Sequence, residues 1–310
     1  MGKIKAANGS SILDAYVNVI AGPVLYGKDF GLDFSKDDNV QFQSGSAAIQ
    51  TVLGGKLQIV STGAVTCMSA IAQGSPFKIF LPYLLVDDTV IAATEDITSV
   101  ADLKTKNPVI GVDSNTAKTA MDQILVGMNA GFVVDDLKNV QTIESSGERT
   151  SALAAGQVQV TVIHQAQLDQ VAATGKKVHA LANMYEAPGK FIKQCWMAPE
   201  KWLDENQETA TAFAAALIKG SRELKNNEET FVSACKQLIK KPPKDDDLKS
   251  MWELVHKYDF WPTTTNAMEP ERIQNMIDLG VKETTLEEGV LTVDKVIDTR
   301  AADAALKLLA

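Results

Sequence analysis

Apolar and polar positions along the chain fall into two kinds of segment that take turns through its first two thirds. Short β-rich runs alternate with longer stretches in which apolar residues recur at helical spacing. Residues 4–7 read as a strand and 12–26 as a helix, with Ser10 or Ser11 placed to cap it. Strands are expected at 40–43 and 58–61, a helix at 64–73 broken by Gly74-Ser75-Pro76, and two apolar β-rich runs at 77–85 and 89–94. A second series follows a capped turn at Ser99. It comprises strands at 109–112, 140–143, 158–163 and 178–181, with helices at 117–130 and 164–174. Such alternation predicts βαβ units and parallel sheets. Beyond residues 191–197 the pattern becomes that of amphipathic helices, at 200–206, 208–226, 229–239, 245–258, 270–279 and 299–309. The KKPPKDDD stretch at 240–247 reads as a solvated turn between two of them.

Two stretches repeat one pattern. SGSAAIQTVLGGKLQIVST runs from Ser44 to Thr62, and SGERTSALAAGQVQVTVIH runs from Ser146 to His164. Each opens on Ser-Gly, passes through a short Ala/Leu-rich helix, stops at glycine and enters a buried strand. The residues before each Ser-Gly read as a strand, so each helix begins just past a strand end. The first N–H groups of such a helix have no internal partner and form a ready site for an anion or dipole. Two copies in two halves predict a ligand gripped by two lobes. GLDFSKDD at 31–38 and GFVVDD at 131–136 place a matching acidic turn in each half.

The 310 residues suffice for two ordinary domains, and 45% apolar with 22% charged residues is a normal globular composition. The net charge is −9, and no basic run exceeds Lys240-Lys241. That excludes a nucleic-acid partner, which needs clustered positive charge. No run approaches the roughly 18 consecutive apolar residues of a membrane helix. The start, Met1-Gly2-Lys3, carries no apolar leader, so either the protein is cytosolic or an export leader has been removed. The three cysteines, Cys67, Cys195 and Cys235, are scattered; they support no zinc site and read as core thiols, with room for one disulfide.

Five loops follow candidate strands and open helices. They hold Ser10 and Ser11; Ser44 and Ser46; Thr62 and Gly63; Ser114, Asn115 and Thr116; and Ser145 and Ser146. These are neutral hydrogen-bonding groups, and each is equally a helix cap. His164 directly follows a strand and is a further ligand candidate, with a cap or surface histidine as the alternative. Arg149 sits one turn into the second repeat helix, where it could fork onto an anion or pair with Glu144 or Glu148. Trp196 and Trp261, and more weakly Tyr83, are candidates for an aromatic wall. Trp202 and Trp252 read as packing residues, and His179 and His256 as structural. No nucleophile elbow, phosphate-binding loop or dinucleotide fingerprint is present, and no cofactor or metal is implied.

Several motifs in order resemble a known family: GSSILDAYVNVIAG, GKDFGLDF, the GKLQ strand entry, DITSVADLKTKNPVIGV, GERTSALAAGQVQV, WMAPEKWLDENQETATAFAAALIKGSREL and LEEGVLTVDKVIDTRAADAAL. Across nearly the whole chain they resemble the type II periplasmic substrate-binding proteins of ABC importers, in the branch of aliphatic sulfonate, taurine, nitrate and thiamine-precursor binders. Gln58 and Gln159 stand where that family usually has Asp. The resemblance implies an α/β, two-lobed fold, each lobe a mainly parallel sheet flanked by helices. Lobe one would be 1–86 plus 195–310 and lobe two 87–194, joined by two crossing hinge strands, with the ligand in the cleft. It also implies a monomeric, extracytoplasmic binder of a small organic anion, sulfonate or carboxylate, that serves an ABC permease. The alternatives are a cytosolic lyase or synthase on the same fold, against which the scattered cysteines speak, and a ligand-sensing module docked on a receptor.

Overall fold

The computed structural model describes residues 2–113, 116–186 and 190–310. Chain contacts divide it into two compact units, Met1–Leu85 with Phe191–Ala310, and Val86–Lys190. In chain order the strands are β1 (Gly2–Lys3), β2 (Ala6–Asn8), β3 (Leu32–Asp33), β4 (Asn39–Gln41), β5 (Ile59–Gly63), β6 (Phe77–Leu84), β7 (Thr89–Thr94), β8 (Ile110–Val112), β9 (Val140–Thr142), β10 (Val160–His164), β11 (Val178–Asn183) and β12 (Gln194–Pro199). The first unit carries the sheet β4-β2-β5-β12-β6 and a small β1-β3 pair; the second carries β9-β8-β10-β7-β11.

The two five-stranded sheets have the same construction. In each, three strands run parallel side by side and the central one of the three lies next to the sheet edge: β2 between β4 and β5, and β8 between β9 and β10. In each, one strand runs against the other four: β12 between β5 and β6, and β7 between β10 and β11. That reversed strand is the one by which the chain enters the unit. β6 ends at Leu84 and β12 starts opposite it at Gln194, so the returning chain re-enters at the end it left and must run backward. The sheets are therefore mixed, although most strands share one direction.

Helices cover the sheets, so the inner strands are near-continuously buried rather than alternating, while the edge strands β4 and β9 are largely exposed. Ala6, Ala7 and Asn8 of β2 are all buried, as are Ile59 to Thr62 of β5. In the first unit the core is aromatic. Trp196 meets Phe213 edge-on at 5.1 Å, and Phe34 meets the same ring at 5.6 Å. Phe213 comes from the 20-residue helix Gln207–Asn226, whose buried stripe of Ala, Phe, Leu and Ile side chains packs it onto the sheet. In the second unit Val90, Ala92, Ala152, Leu153, Val158, Ile163 and Leu168 make an aliphatic core.

The internal copy is real in the structure, with its register moved by one residue. Ser44 caps helix Gly45–Leu53 through the Ala47 N–H, and Ser145 caps helix Ser146–Ala155 through the Glu148 N–H, both at 3.2 Å. The equivalent of Ser44 is thus Ser145, not Ser146. Gly55 and Gly156 match at the same register, with φ of 73° and 74°, a left-handed conformation that suits glycine. Gln58 and Gln159 match as well. Each accepts from the backbone N–H just before the central strand, Lys5 or Val109, at 2.7 Å, and donates its own N–H to the same residue's carbonyl at 2.9 Å. An acceptor on a short side chain is all this clamp needs, which accounts for glutamine standing in the place of Asp. The acidic turns match too: Asp38 accepts from the Ser35 N–H and Asp136 from the Val133 N–H, both at 2.9 Å.

Candidate functional site

In the first unit the loops after β2, β4 and β5 converge. The Gly9 N–H donates to Ser61 and the Phe42 N–H to the Asn8 carbonyl, each at 2.8 Å. The approach is close enough that only glycine fits at two points. A Cβ on Gly9 would collide with the Gly45 backbone, and one on Gly45 would collide with the Thr62 hydroxyl. Ser10, Ser44, Thr62 and Gly63 are thereby brought to one end of one sheet. Gln194, the first residue of β12, lies opposite Gly63 and completes the group.

A hydrogen-bond network organises this end. Asn8 is 1% exposed, and its Oδ1 accepts from the Ser10 N–H and the Ser61 hydroxyl, both at 2.9 Å. Because the Ser10 N–H can only donate, the amide orientation of Asn8 is fixed, and its Nδ2 is buried without a partner. Gln194 Oε1 accepts from the Ser10 hydroxyl at 2.9 Å and the Tyr83 hydroxyl at 3.3 Å. Burial pushes the Tyr83 hydroxyl well above its ordinary pKa, so it stays a donor. Gln41 Nε2 ties the loops by donating to the carbonyls of Asn8, Ser10 and Phe42. These groups are uncharged, and the network ends in donors.

In the second unit the equivalent loops are strung on Arg149, which is 5% exposed. Its Nε donates to the Val162 carbonyl at 2.9 Å, and its Nη1 to the carbonyls of Ile143 and Glu144 at 2.9 and 3.0 Å and to Asp113 at 3.3 Å. Burial pushes the guanidinium pKa down and Asp113 pulls it back up. Asp113 in turn accepts from the Thr116 hydroxyl and the Ala117 N–H, both at 2.8 Å, at the start of helix Thr116–Gly127. Arg149 is therefore a strut beneath the loops. Ser146 accepts from Gln167, which also takes the His164 N–H. His164 Nδ1 lies 2.7 Å from Asp88 Oδ1. Among the described residues, Asp87, Asp88 and His164 bring three ligand atoms within 4.8 Å of one another and could hold a metal ion.

Several expectations need correction. Ser10 does not cap a helix over 12–26: a 3-10 turn at Asp14–Tyr16 precedes the helix Asn18–Tyr26, which no side chain caps. Ser11 and Ser46, the latter in the second position of its helix, are exposed as Ser44 and Ser145 are, so exposure does not separate them as ligand candidates. Trp196 and Trp261 form no ligand wall. Trp196 is fully buried among Phe213 and Tyr83, and Trp261 is 1% exposed, with its Nε1 donating to the Ala15 carbonyl at 2.9 Å and its ring beside Phe231. Ser114 and Asn115 lie outside the described residues. Sequence reading missed Asn8, Gln41, Gln194, Asp87, Asp88 and Asp113. A polar residue at the end of a buried strand, as in IKAAN or VIGVD, was the signal available for two of them, Asn8 and Asp113.

Comparison with known proteins bears on this site. The family model described as NMT1/THI5 like matches residues 26–230. No curated protein sequence matches the chain. Among solved structures, the periplasmic sulfonate-binding protein SsuA from Methylobacillus flagellatus KT superposes with a TM-score of 0.75. Its identity is 12% over 100% of this chain and 95% of its own. The periplasmic nitrate-binding protein NrtA from Synechocystis PCC 6803 gives 0.72 and 14% over 99% of this chain and 89% of its own. The desulfurization enzyme DSZB gives 0.64 and 11% over the whole of both chains. At these identities the likeness establishes the fold, that of periplasmic binding proteins.

Proposed function

Because the chain belongs to the NMT1/THI5-like family, we propose that it is a solute-binding protein that takes a small organic anion, a sulfonate or carboxylate, at its strand-end loops. The protein works outside the cytoplasmic membrane and delivers the ligand to an ABC permease. The observation that carries this reading is the spare donor at the strand ends of the first unit. Asn8 Nδ2 is buried without an acceptor, and Gln194, whose Oε1 takes the Ser10 hydroxyl, stands at the same end of the sheet. A buried orphan donor costs about 1–3 kcal/mol unless something accepts from it. An anion's oxygens would. The sulfonate and nitrate named for the two binding proteins above have the same acceptor-only chemistry.

The fold also hosts an enzyme, so the test includes recovery of the ligand: a binder returns it unchanged.

The test is calorimetric titration of Gln194→Glu, Ser44→Ala and Ser145→Ala beside the wild type. A lost hydrogen bond to a charged group costs roughly 1.5–3 kcal/mol, about ten- to over a hundredfold in affinity. Gln194→Glu replaces a donor with an anion and should lose at least that much. A serine that serves only as a cap would lower stability by about 1 kcal/mol and leave affinity alone. Full affinity in all three variants would remove the loops from the site.

A further inference from the structure

We infer that Cys67 and Cys195 form an intramolecular disulfide when the chain folds in oxidising surroundings, bonding the helix that opens at Gly63 to the strand that opens at Gln194. Cys67 lies on helix Ala64–Ala72 and Cys195 is the second residue of β12. Their Sγ atoms are 3.5 Å apart although 128 positions separate them in sequence. Both are buried as free thiols. The backbone around them is already joined. Cys195 lies opposite Thr62 in the β5–β12 ladder, and the Ala64 N–H donates to the Lys193 carbonyl at 3.1 Å. Closing the sulfurs to the ~2.05 Å of a disulfide therefore asks for side-chain rotation rather than strand movement. Cys235 lies on another helix, Glu228–Leu238, and is no part of the pair.

The chemistry is thiol–disulfide exchange with a small disulfide such as oxidised glutathione. One cysteine thiolate attacks a sulfur of the oxidant, releases one thiol and leaves a mixed disulfide. The second cysteine then displaces the other thiol. Two electrons pass from the pair to the oxidant, and the two cysteine protons end on the released thiols. In the folded reduced protein the reagent has no access to either sulfur, and burial pushes the Cys195 thiol well up, so thiolate is scarce. The bond therefore forms during folding. Its formation in the cell rests on the extracytoplasmic location proposed above; its formation in solution does not. The effect is to pin Gly63 and Gln194 to each other at the end of the sheet where the spare Asn8 donor lies.

The full chain is unfolded and reduced, refolded in a mixture of reduced and oxidised glutathione, then alkylated in denaturant and mapped by peptide mass. The expected result is a Cys67–Cys195 cross-linked peptide with Cys235 alone alkylated. The refolded protein should melt roughly 5–10 °C above the reduced one. Cys67→Ala and Cys195→Ala should melt alike with and without the oxidant. Three alkylated cysteines, a bond involving Cys235, a glutathione adduct, or an oxidised form that melts no higher would each overturn the inference. Ligand titration of the same samples keeps the two proposals apart. A missing bond with intact binding overturns this inference alone, and an intact bond without binding overturns the functional reading alone.

Discussion

Replacing Arg149 with methionine should damage the second unit far more than it damages ligand binding. The side chain is 7% exposed and Asp113 8%, so solvent screens their pairing little. Methionine keeps much of the aliphatic length but removes four donated hydrogen bonds, three to backbone carbonyls and one to Asp113. It also leaves the Asp113 carboxylate buried without its cation. Breaking a buried pair from one side costs about 3–5 kcal/mol. Arg149→Lys keeps the charge but not the fork that reaches separate carbonyls, and should fall between the two. The four tryptophans all lie in the first unit, so tryptophan fluorescence would underreport the change. The assay is urea unfolding followed by far-ultraviolet circular dichroism, with calorimetric affinity measured on the folded protein. A loss below about 1 kcal/mol together with a tenfold fall in affinity would show that Arg149 holds the ligand rather than the loops.

Three other outcomes are expected. The Thr98 N–H and the Lys106 ammonium hold the Asp102 carboxyl down to about 2, from an ordinary 3.8. A carboxyl depressed on folding binds fewer protons folded than unfolded, so its contribution is whole above about pH 4 and is lost as pH falls through about 2. Urea midpoints of wild type and Asp102→Asn should differ at neutral pH and converge in strong acid; a constant difference would refute this. Gly45→Ala should destabilise by about 1–3 kcal/mol through its clash with Thr62, with part of the loss recovered in Gly45→Ala/Thr62→Ala; a neutral single mutant would contradict the close approach. Trp261→Phe should lower stability by about 1–3 kcal/mol, having lost its bond to Ala15, while calorimetric affinity stays at the wild-type value.

The alternation of strand and helix was legible because buried βαβ units impose it on nearly every residue they contain. Even the 20-residue helix Gln207–Asn226 was visible within one residue at its start. The repeat was legible for the same reason, but its register was not. Ser145 and Ser146 are chemically alike, and only backbone geometry decides which one turns its hydroxyl back on the helix. The direction of side chains was also hidden. Cys195, Trp196, Met197 and Ala198 are all buried because the sheet is covered on both faces, so no alternation marks a ligand-facing position. Arg149 looked equally suited to an anion or a carboxylate, since four acceptors scattered over residues 113–162 cannot be assembled without the fold. Asn8 escaped notice because what matters about it is a missing partner, which sequence does not display, and Gln194 because its partners Ser10 and Tyr83 lie more than a hundred residues away.

The central claim is that the chain binds a small organic anion through uncharged donors. A thermal-denaturation screen tests it most directly, with alkyl sulfonates, aryl sulfonates, carboxylates, amino-sulfonates, nitrate and polyamines each added in excess to the purified full chain. The account predicts that one class of anion raises the melting temperature by several degrees, in proportion to the logarithm of its concentration. It predicts that Gln194→Glu abolishes that rise without lowering the ligand-free melting temperature by a comparable amount. A rise with polyamines alone, or an anion-induced rise that survives in Gln194→Glu, would contradict it.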